Sequence, residues 1–396
     1  MNAPVSPRRR WKLLVQLEAF AAAPGWPGWL LLAAITLFML WAGLDPKGYR
    51  FHNEVDWVEN GGGLRFGRFG RAETKPFLSR EQVAALNTHG FALELVFEPP
   101  RKWDSTFRVL ASFHSGADAS QLLIGQWREH LILMNGDDYN HARRTPRITA
   151  DTAPFGPGPL TLTINSSTNR TGLFLNGELI SASPKLHLTL PAAPEPGRLT
   201  LGNTANASLP WRGVIRQFAL IGRPLMSAEI RSRAQAPSSA ERPPADALLF
   251  YRFAQGGGVT VANQGSLPVP LSIPSRLYAL GHRFLTGSLA AVTPRNLLAL
   301  DSVVNFIGFM PFGATFALLL QARGHGRVRL VLVATLASLM LSLLIESVQA
   351  WMPPRDSSLR DLLLNIGGGC LGAWMWSCSR GWLKRFLSVQ NAGEER

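Results

Sequence analysis

The residues best placed to do chemistry lie between positions 301 and 373, in a stretch apolar enough to enter a bilayer. Asp301 and Asn305 stand four apart, Glu346 and Gln349 three apart, and Asp361 and Asn365 four apart, with Arg355 ahead of the last pair. Such spacings place each pair on one helix face. Carboxylates and carboxamides are costly in lipid, so their repeated placement predicts a polar cluster buried between helices. The faces extend further: Ser338, Ser342, Glu346 and Gln349 form one stripe, Asp361, Asn365, Gly368 and Gly372 a second, and Asp301, Asn305 and Gly308 a third. Gly368-x3-Gly372 permits close helix approach. In such a cluster Arg355 or Arg360 could grip a phosphate, and Glu346, with Asp361, could act as an acid/base group. The expected ligand-binding set is Asp301, Asn305, Glu346, Gln349, Arg355, Asp361 and Asn365, with Glu346 and Asp361 as the catalytic candidates. The competing reading is structural, in which these groups pair with one another and with backbone to brace the bundle. No metal-ligand spacing, nucleophile elbow or phosphate-binding loop accompanies them, so no named reaction follows, and neither a metal nor a cofactor is expected.

Four apolar runs are long enough to position this cluster across a membrane: 28–44, 303–321, 328–351 and 362–378. The formal net charge of +14 is mostly arginine, and Arg8 to Arg10, Arg323, Arg327, Arg329, Arg380, Lys384 and Arg385 all flank these runs. That placement is an orientation signal rather than a nucleic-acid footprint. All the basic flanks agree on one topology, with both termini inside and the region from about 45 to 301 outside. The first run is longer than a usual signal-peptide core and no clean cleavage site follows it, so an uncleaved anchor is expected. Cys370 and Cys378 share the last run, where eight helical residues separate them by about 12 Å, too far for a disulfide.

The 396 residues suggest two or three domains, and the outward region reads as β structure. Phe91, Leu93, Leu95 and Phe97 alternate with Ala92, Glu94, Val96 and Glu98, as do Leu160, Leu162 and Ile164 with their neighbours. Asn176-Gly177 and Asn135-Gly136 both predict tight hairpin turns. A Pro/Ser/Ala-rich stretch from Ala234 to Ala245 marks a linker or domain edge. Asp137, Asp138 and Asn140 are the residues closest to a calcium-ligand set, with a solvated turn as the plainer reading. Trp103, Trp127 and Trp211 could stack on sugars or fill the core, and the glycosylation sequons at Asn165, Asn169 and Asn206 read as accidental in a chain of bacterial character.

Two resemblances sharpen these expectations. Arg198-Leu-Thr-Leu-Gly-Asn203, Trp211-Arg-Gly-Val-Ile-Arg-Gln-Phe218 and Pro224-Leu-Met-Ser-Ala-Glu-Ile230, with Gly172-Leu-Phe-Leu-Asn-Gly-Glu178, resemble the laminin-G-like, concanavalin A-like jelly rolls over about Val55 to Arg233. That resemblance implies a binding fold, commonly for glycans. The Glu-x-Asp-x-x-Glu strand of the related glycosidases is not found; Glu94-Leu-Val-Phe-Glu98 lacks the Asp, so binding is expected rather than hydrolysis. In the membrane part, Asp301, Asn305, Phe309, Pro311 and Gly313, then Glu346, Gln349, Arg355, Asp361, Asn365, Gly367 and Gly372, resemble the motifs of the VanZ-like family, except that Ser302 stands where a Lys is common. That family usually has four spans, and its name comes from a protein linked to resistance to the glycopeptide teicoplanin. The expectation is therefore a multi-domain chain: a cytoplasmic basic segment (1–27), a first span (28–44), an extracytoplasmic all-β jelly-roll sandwich (50–233), a linker with accessory β segment (234–290), a VanZ-like domain with three further spans in an α-helical bundle (296–386) and a cytoplasmic tail (387–396). Its expected location is a bacterial inner membrane. The expected partners are the lipid bilayer and a glycan or lipid-linked saccharide, with no nucleic acid.

Overall fold

The computed structural model describes residues 24–44, 51–59, 62–100, 105–116, 121–156, 158–192, 197–235, 243–278, 284–285, 300–352, 355 and 357–394. The chain forms two compact units, Tyr49–Gly281 and the pair of segments Met1–Gly48 and His282–Arg396. The first unit is an all-β sandwich of two eight-stranded sheets whose strand pairs are antiparallel. The first sheet runs β1 (Val55–Trp57), β2 (Leu64–Phe66), β13 (Gly213–Ile221), β4 (Phe91–Glu98), β9 (Leu160–Ser166), β10 (Thr171–Leu175) and β11 (Glu178–Ser183), with β14 (Ala247–Arg252) also on β13. The second runs β15 (Thr260–Val261), β16 (Leu271–Ser272), β3 (Ala72–Thr74), β12 (Arg198–Leu201), β5 (Arg108–His114), β6 (Gln121–Trp127), β7 (His130–Asn135) and β8 (Arg147–Asp151). Residues 247–272, set apart above as a linker and accessory segment, thus supply one strand to the first sheet and two to the second.

Alternation explains the core. Phe91, Leu93, Leu95 and Phe97 point between the sheets and join Phe113 and Phe218, whose rings lie 6.0 Å apart across the sandwich. The opposite face of β4 is buried as well, which period-two alternation alone does not predict. Helix α3 (Ser227–Gln235), which with α2 (Arg80–His89) makes two α-helices among the described residues of this unit, buries Ile230 with Ala92, Ala219 and Phe250. Arg233 of α3 makes a two-pronged pair with the buried Glu94, Nε to Oε2 at 2.8 Å and Nη2 to Oε1 at 2.7 Å.

Asn176-Gly177 forms the expected two-residue hairpin, joining Leu175 to its partner Glu178 with both turn residues at positive φ, 48° for Asn176 and 85° for Gly177. Asn135-Gly136 does not form one. The Gly136 N–H bonds back to Gln121 O at 2.7 Å, and β8 begins only at Arg147, so these residues open an eleven-residue excursion, 136–146, instead of closing a turn.

The second unit is helical: α1 (Gly25–Leu44), α4 (Leu300–Gln321), α5 (Arg327–Gln349) and α6 (Leu359–Glu394). Of these, α1, the Ser302–Gln321 part of α4, and α5 are long and apolar enough to cross a membrane. Helices α4 and α6 meet through glycine. A Cβ on Gly368 would fall 2.0 Å from Phe306 O, one on Gly372 2.0 Å from Met310 O, and one on Gly313 1.9 Å from Gly369 O. Backbone lies against backbone at all three, so the close approach expected of Gly368-x3-Gly372 is realised. Pro311 lies within α4 and offers no N–H to the carbonyl one turn earlier.

The ends of these helices alternate. Gln349 Nε2 donates to Gly43 O at 2.9 Å, bringing the C-termini of α1 and α5 together, where the N-terminus of α6 also arrives. At the opposite end Trp376 Nε1 donates to Gln321 Oε1 at 2.9 Å, and the Arg323 guanidinium lies over the Trp29 ring, 5.4 Å from its centroid. The arginines of the 323–329 turn therefore sit at the end away from Gln349 and Asp361. Cys370 and Cys378 are free thiols.

Candidate functional site

The polar residues gather where α1, α4, α5 and α6 converge. A pocket of about 410 Å³ is lined there by Ala42 and Gly43 from α1, Asn305 and Gly308 from α4, Glu346 and Gln349 from α5, and Arg355, Arg360, Asp361 and Asn365 from the connection into α6 and its first turns. Six of the seven expected ligand-binding residues line it: Asn305, Glu346, Gln349, Arg355, Asp361 and Asn365. Asp301 lies in the first turn of α4, but its side chain falls outside the described residues. Ser302, at the position where the resembled family often has Lys, is fully buried.

Each member is held by a local cause. Ser338, Ser342 and Glu346 lie one turn apart along α5 and are all buried, as the stripe requires. Ser358 caps α6: its Oγ accepts the Asp361 N–H at 3.4 Å, three residues on. In a capping box the residue at Asp361 would reach back to the Ser358 N–H. Here Glu346 Oε2 takes that N–H at 2.8 Å, from a different helix. One carboxylate thereby locks α5 to the start of α6 and leaves Asp361 to pair with its neighbour Arg360, Nε to Oδ1 at 3.3 Å. Asn365 Nδ2 donates to Ser342 Oγ at 2.9 Å, a second α5–α6 tie. Arg355 Nη2 donates to Ala42 O at 3.2 Å, close to the Gln349 contact with Gly43.

Some polar capacity is unused. Asn365 is only 4% exposed, yet its Oδ1 has no partner, and neither does Arg355 Nε. Exchanging the two ends of the Asn365 amide would move the vacancy from acceptor to donor without filling it. Among the described residues Arg355 forms no ion pair, whereas Arg360 has Asp361. The pocket lining therefore includes one satisfied carboxylate, one internal ion pair, a guanidinium with one free N–H and an amide with one free end, a polar set suited to an anion or a hydroxylated ligand.

Sequence reasoning missed Ser357 and Ser358. Ser357 is buried and its Oγ accepts the Leu285 N–H at 3.1 Å. The signal for Ser358 was present: Ser-Leu-Arg-Asp before an apolar run is a helix-start pattern. Nothing comparable announced Phe38 and Met39 of α1, which complete the pocket wall.

In the sandwich the candidate residues serve the fold. Asp138 is buried within the 136–146 excursion; Oδ1 accepts the Arg143 N–H at 3.1 Å, and Oδ2 accepts the Thr145 N–H at 3.1 Å and its hydroxyl at 3.0 Å. These donors hold its carboxyl down to about 2 against the opposing effect of burial. Asp137 pairs with Arg143, and Asn140 Oδ1 accepts the Ala142 N–H at 3.1 Å. Asp138 is thus taken up by donors of its own loop, while Asn140, Ala142, Arg143 and Arg144 are exposed. Trp211 is buried, donates to Gln126 Oε1 at 2.6 Å and packs on Phe66 and Phe97, so it belongs to the core. Trp127 is 39% exposed with Arg128 over its ring, and Trp103 lies outside the described residues. His114 is buried with Nε2 2.8 Å from Thr200 Oγ1, while its Nδ1 accepts the Gly116 N–H at 3.2 Å. Burial, with Arg198 and Arg71 nearby, lowers its pKa to about 4.

Comparison with known proteins bears on both units. Residues 247–382 match the VanZ/LLP1 family model. The VanZ-like match begins on β14 of the sandwich, ahead of the boundary at 296 expected from the sequence, and takes in α4, α5 and the pocket-lining part of α6. No curated protein matches the sequence. Solved structures similar to the chain include a Bacteroides ovatus protein described as carbohydrate binding, at 9% identity and TM-score 0.37, covering 58% of this chain and 59% of that one. They also include the CBM40 of a Ruminococcus gnavus IT-sialidase, at 13% identity and TM-score 0.32, covering 42% of this chain and 100% of that one. A third is the binding domain of botulinum neurotoxin serotype D, at 11% identity and TM-score 0.35, covering 48% of each.

Proposed function

We propose that this chain is a multi-pass protein of a bacterial inner membrane that binds an anionic envelope saccharide or a lipid-linked glycan precursor in the pocket between α1, α4, α5 and α6. The observation that carries the reading is that one pocket is lined both by Arg355, which has no ion-pair partner among the described residues, and by the nine-tenths-buried Asn365 amide, unpartnered at one end. Polar groups left unsatisfied in an apolar bundle are destabilising, and a pocket that concentrates them is suited to a ligand that satisfies them. The positive-inside pattern of Arg323, Arg327 and Arg329 puts that pocket at the outer end, with α6 crossing as a fourth span through about Cys378 and the sandwich outside. The outward sandwich, as a laminin-G-like jelly roll, supplies a second glycan-binding surface, and a role in cell-wall or exopolysaccharide assembly, or in glycopeptide resistance, accords with the VanZ-like match.

The alternative is a membrane-embedded enzyme acting on a lipid-linked saccharide with Glu346 and Asp361 as acid/base groups. Against it stands the use of Glu346 to cap α6, which ties up an oxygen that catalysis needs. Complementation of an envelope or glycopeptide-sensitivity phenotype in a deletion strain separates these readings, with membrane abundance checked alongside. Binding predicts that Arg355→Lys loses function, because Lys keeps the charge but not the planar fork, while Glu346→Gln, which still accepts the Ser358 N–H, retains most of it. Full loss with Glu346→Gln at normal abundance would favour the enzyme, and full function in both would leave bracing as the better account.

A further inference from the structure

The pocket is polar at one end and apolar at the other. Arg355, Arg360, Asp361 and Asn365 line the first, and Phe38, Met39, Val304 and Phe309 line the second, on α1 and α4. Gly308, also in the lining, lies between Val304 and Phe309 on α4. A Cβ built there meets nothing within 4 Å, whereas Gly313, Gly368, Gly369 and Gly372 all lie against atoms at 2.0 Å or less. The latter glycines are needed for packing; Gly308 instead borders open space. The lips of that space face outward, with Phe38 62% and Val304 59% exposed on two helices apolar enough to span a bilayer. An apolar chain can therefore leave the pocket sideways without crossing a wall of protein.

We propose that the site takes a lipid phosphate: the phosphate sits at Arg355 and Asn365, and the hydrocarbon chain passes over Gly308 through the seam between α1 and α4 into the bilayer. The proposal rests on the anionic-ligand reading above and adds the ligand class and its route. Charge decides the head, since Arg355 has an unpartnered Nε and no ion pair among the described residues, and a guanidinium fork matches phosphate oxygens. Size decides the rest. At about 410 Å³ the pocket is near the lower end of ligand sites, enough for a head group and the first part of a chain, whose remainder stays in lipid.

The test uses the full-length protein in nanodiscs with a prenyl monophosphate carrying a diazirine along its chain. The expected result is labelling of peptides containing 38–43 and 304–309, competed by unlabelled prenyl phosphate at least tenfold more effectively than by the matching prenol or by inorganic phosphate. Gly308→Leu fills the open space and should cut labelling at least tenfold; Val304→Trp blocks the outward lip independently, and Gly308→Ala should label within about twofold of the parent. Labelling confined to other segments, or undiminished in both blocking variants, overturns the proposal, as does competition by inorganic phosphate equal to that of the lipid. If prenyl phosphate fails while a water-soluble sugar phosphate binds in an Arg355-dependent way, the lipid route is wrong and the anionic-ligand reading stands. If neither binds, both fail.

Discussion

Replacing glycine with alanine should have opposite effects at two positions in the helical unit. Within a helix Ala is favoured over Gly by about 0.5–1 kcal/mol, because glycine loses more backbone freedom on folding. At Gly308 a Cβ meets nothing within 4 Å, so that gain stands alone. At Gly372 the new Cβ would lie 2.0 Å from Met310 O, far inside the 3.0 Å that real contacts keep, and the obstacle is backbone rather than a side chain that can rotate away. Overpacking of this kind costs about 1–3 kcal/mol, and a rigid carbonyl puts the cost at the upper end, so strain outweighs propensity. Gly308→Ala should therefore be as stable as the parent or up to about 1 kcal/mol more stable, and Gly372→Ala about 2 kcal/mol less stable. Unfolding of the detergent-solubilised protein, followed by tryptophan fluorescence, reads both. A Gly372→Ala protein at least as stable as the parent would refute the backbone-to-backbone packing of α4 on α6, and a marked loss with Gly308→Ala would refute the open space beside it.

Further outcomes follow from the sandwich, which should fold as a fragment of residues 49–281 with a β circular-dichroism spectrum; a disordered spectrum from that soluble fragment would contradict it. In this fragment Arg233→Met leaves the Glu94 carboxylate, 3% exposed, without its two-pronged partner. Breaking a buried pair costs about 3–5 kcal/mol, and the partial exposure of Arg233 sets the expectation near 3 in urea unfolding; Glu94→Leu combined with Arg233→Met should recover most of it. The pH dependence has a fixed sign. His114 is held at about 4 when folded, so the unfolded chain binds the proton first, and stability should fall as pH drops from about 6.5 to 4. Asp138 and Glu229 are both lowered to about 2, the latter by Arg223 and the Met226 N–H, so the stability they contribute above the ordinary carboxylate range is lost as pH falls from about 4 toward 2. Melting temperatures across pH 2–7 check both windows, and His114→Gln should flatten the upper one; an unchanged upper slope would show that another group causes it.

Much of the cluster was legible because a helix repeats every three to four residues. Ser338, Ser342 and Glu346 share a face by spacing alone, and so do Asp361 and Asn365. Their partners were not legible. The Ser358 N–H that Glu346 accepts is twelve residues away across a loop, and the Ala42 and Gly43 carbonyls met by Arg355 and Gln349 are about three hundred residues distant. Backbone carbonyls leave no mark in a sequence. In the sandwich, alternation in β4 predicted its inward face, but Arg233, 139 residues on, covers Glu94 from the other side. Asn176-Gly177 succeeded and Asn135-Gly136 failed for one reason: a dipeptide can make a hairpin only where the strands on both sides pair with each other, and the chain after Gly136 does not return to β7 until Arg147.

The central claim, that the helical pocket holds an anionic or lipid-linked ligand through Arg355 and Asn365, is tested most directly by mass spectrometry of the small molecules retained by the full-length protein after purification from membranes. The account predicts a phosphate-bearing lipid or glycan at near-stoichiometric occupancy in the parent, reduced at least tenfold by Arg355→Lys at equal protein yield and thermal stability. A retained complement of lipids and glycans identical in the two proteins would contradict it.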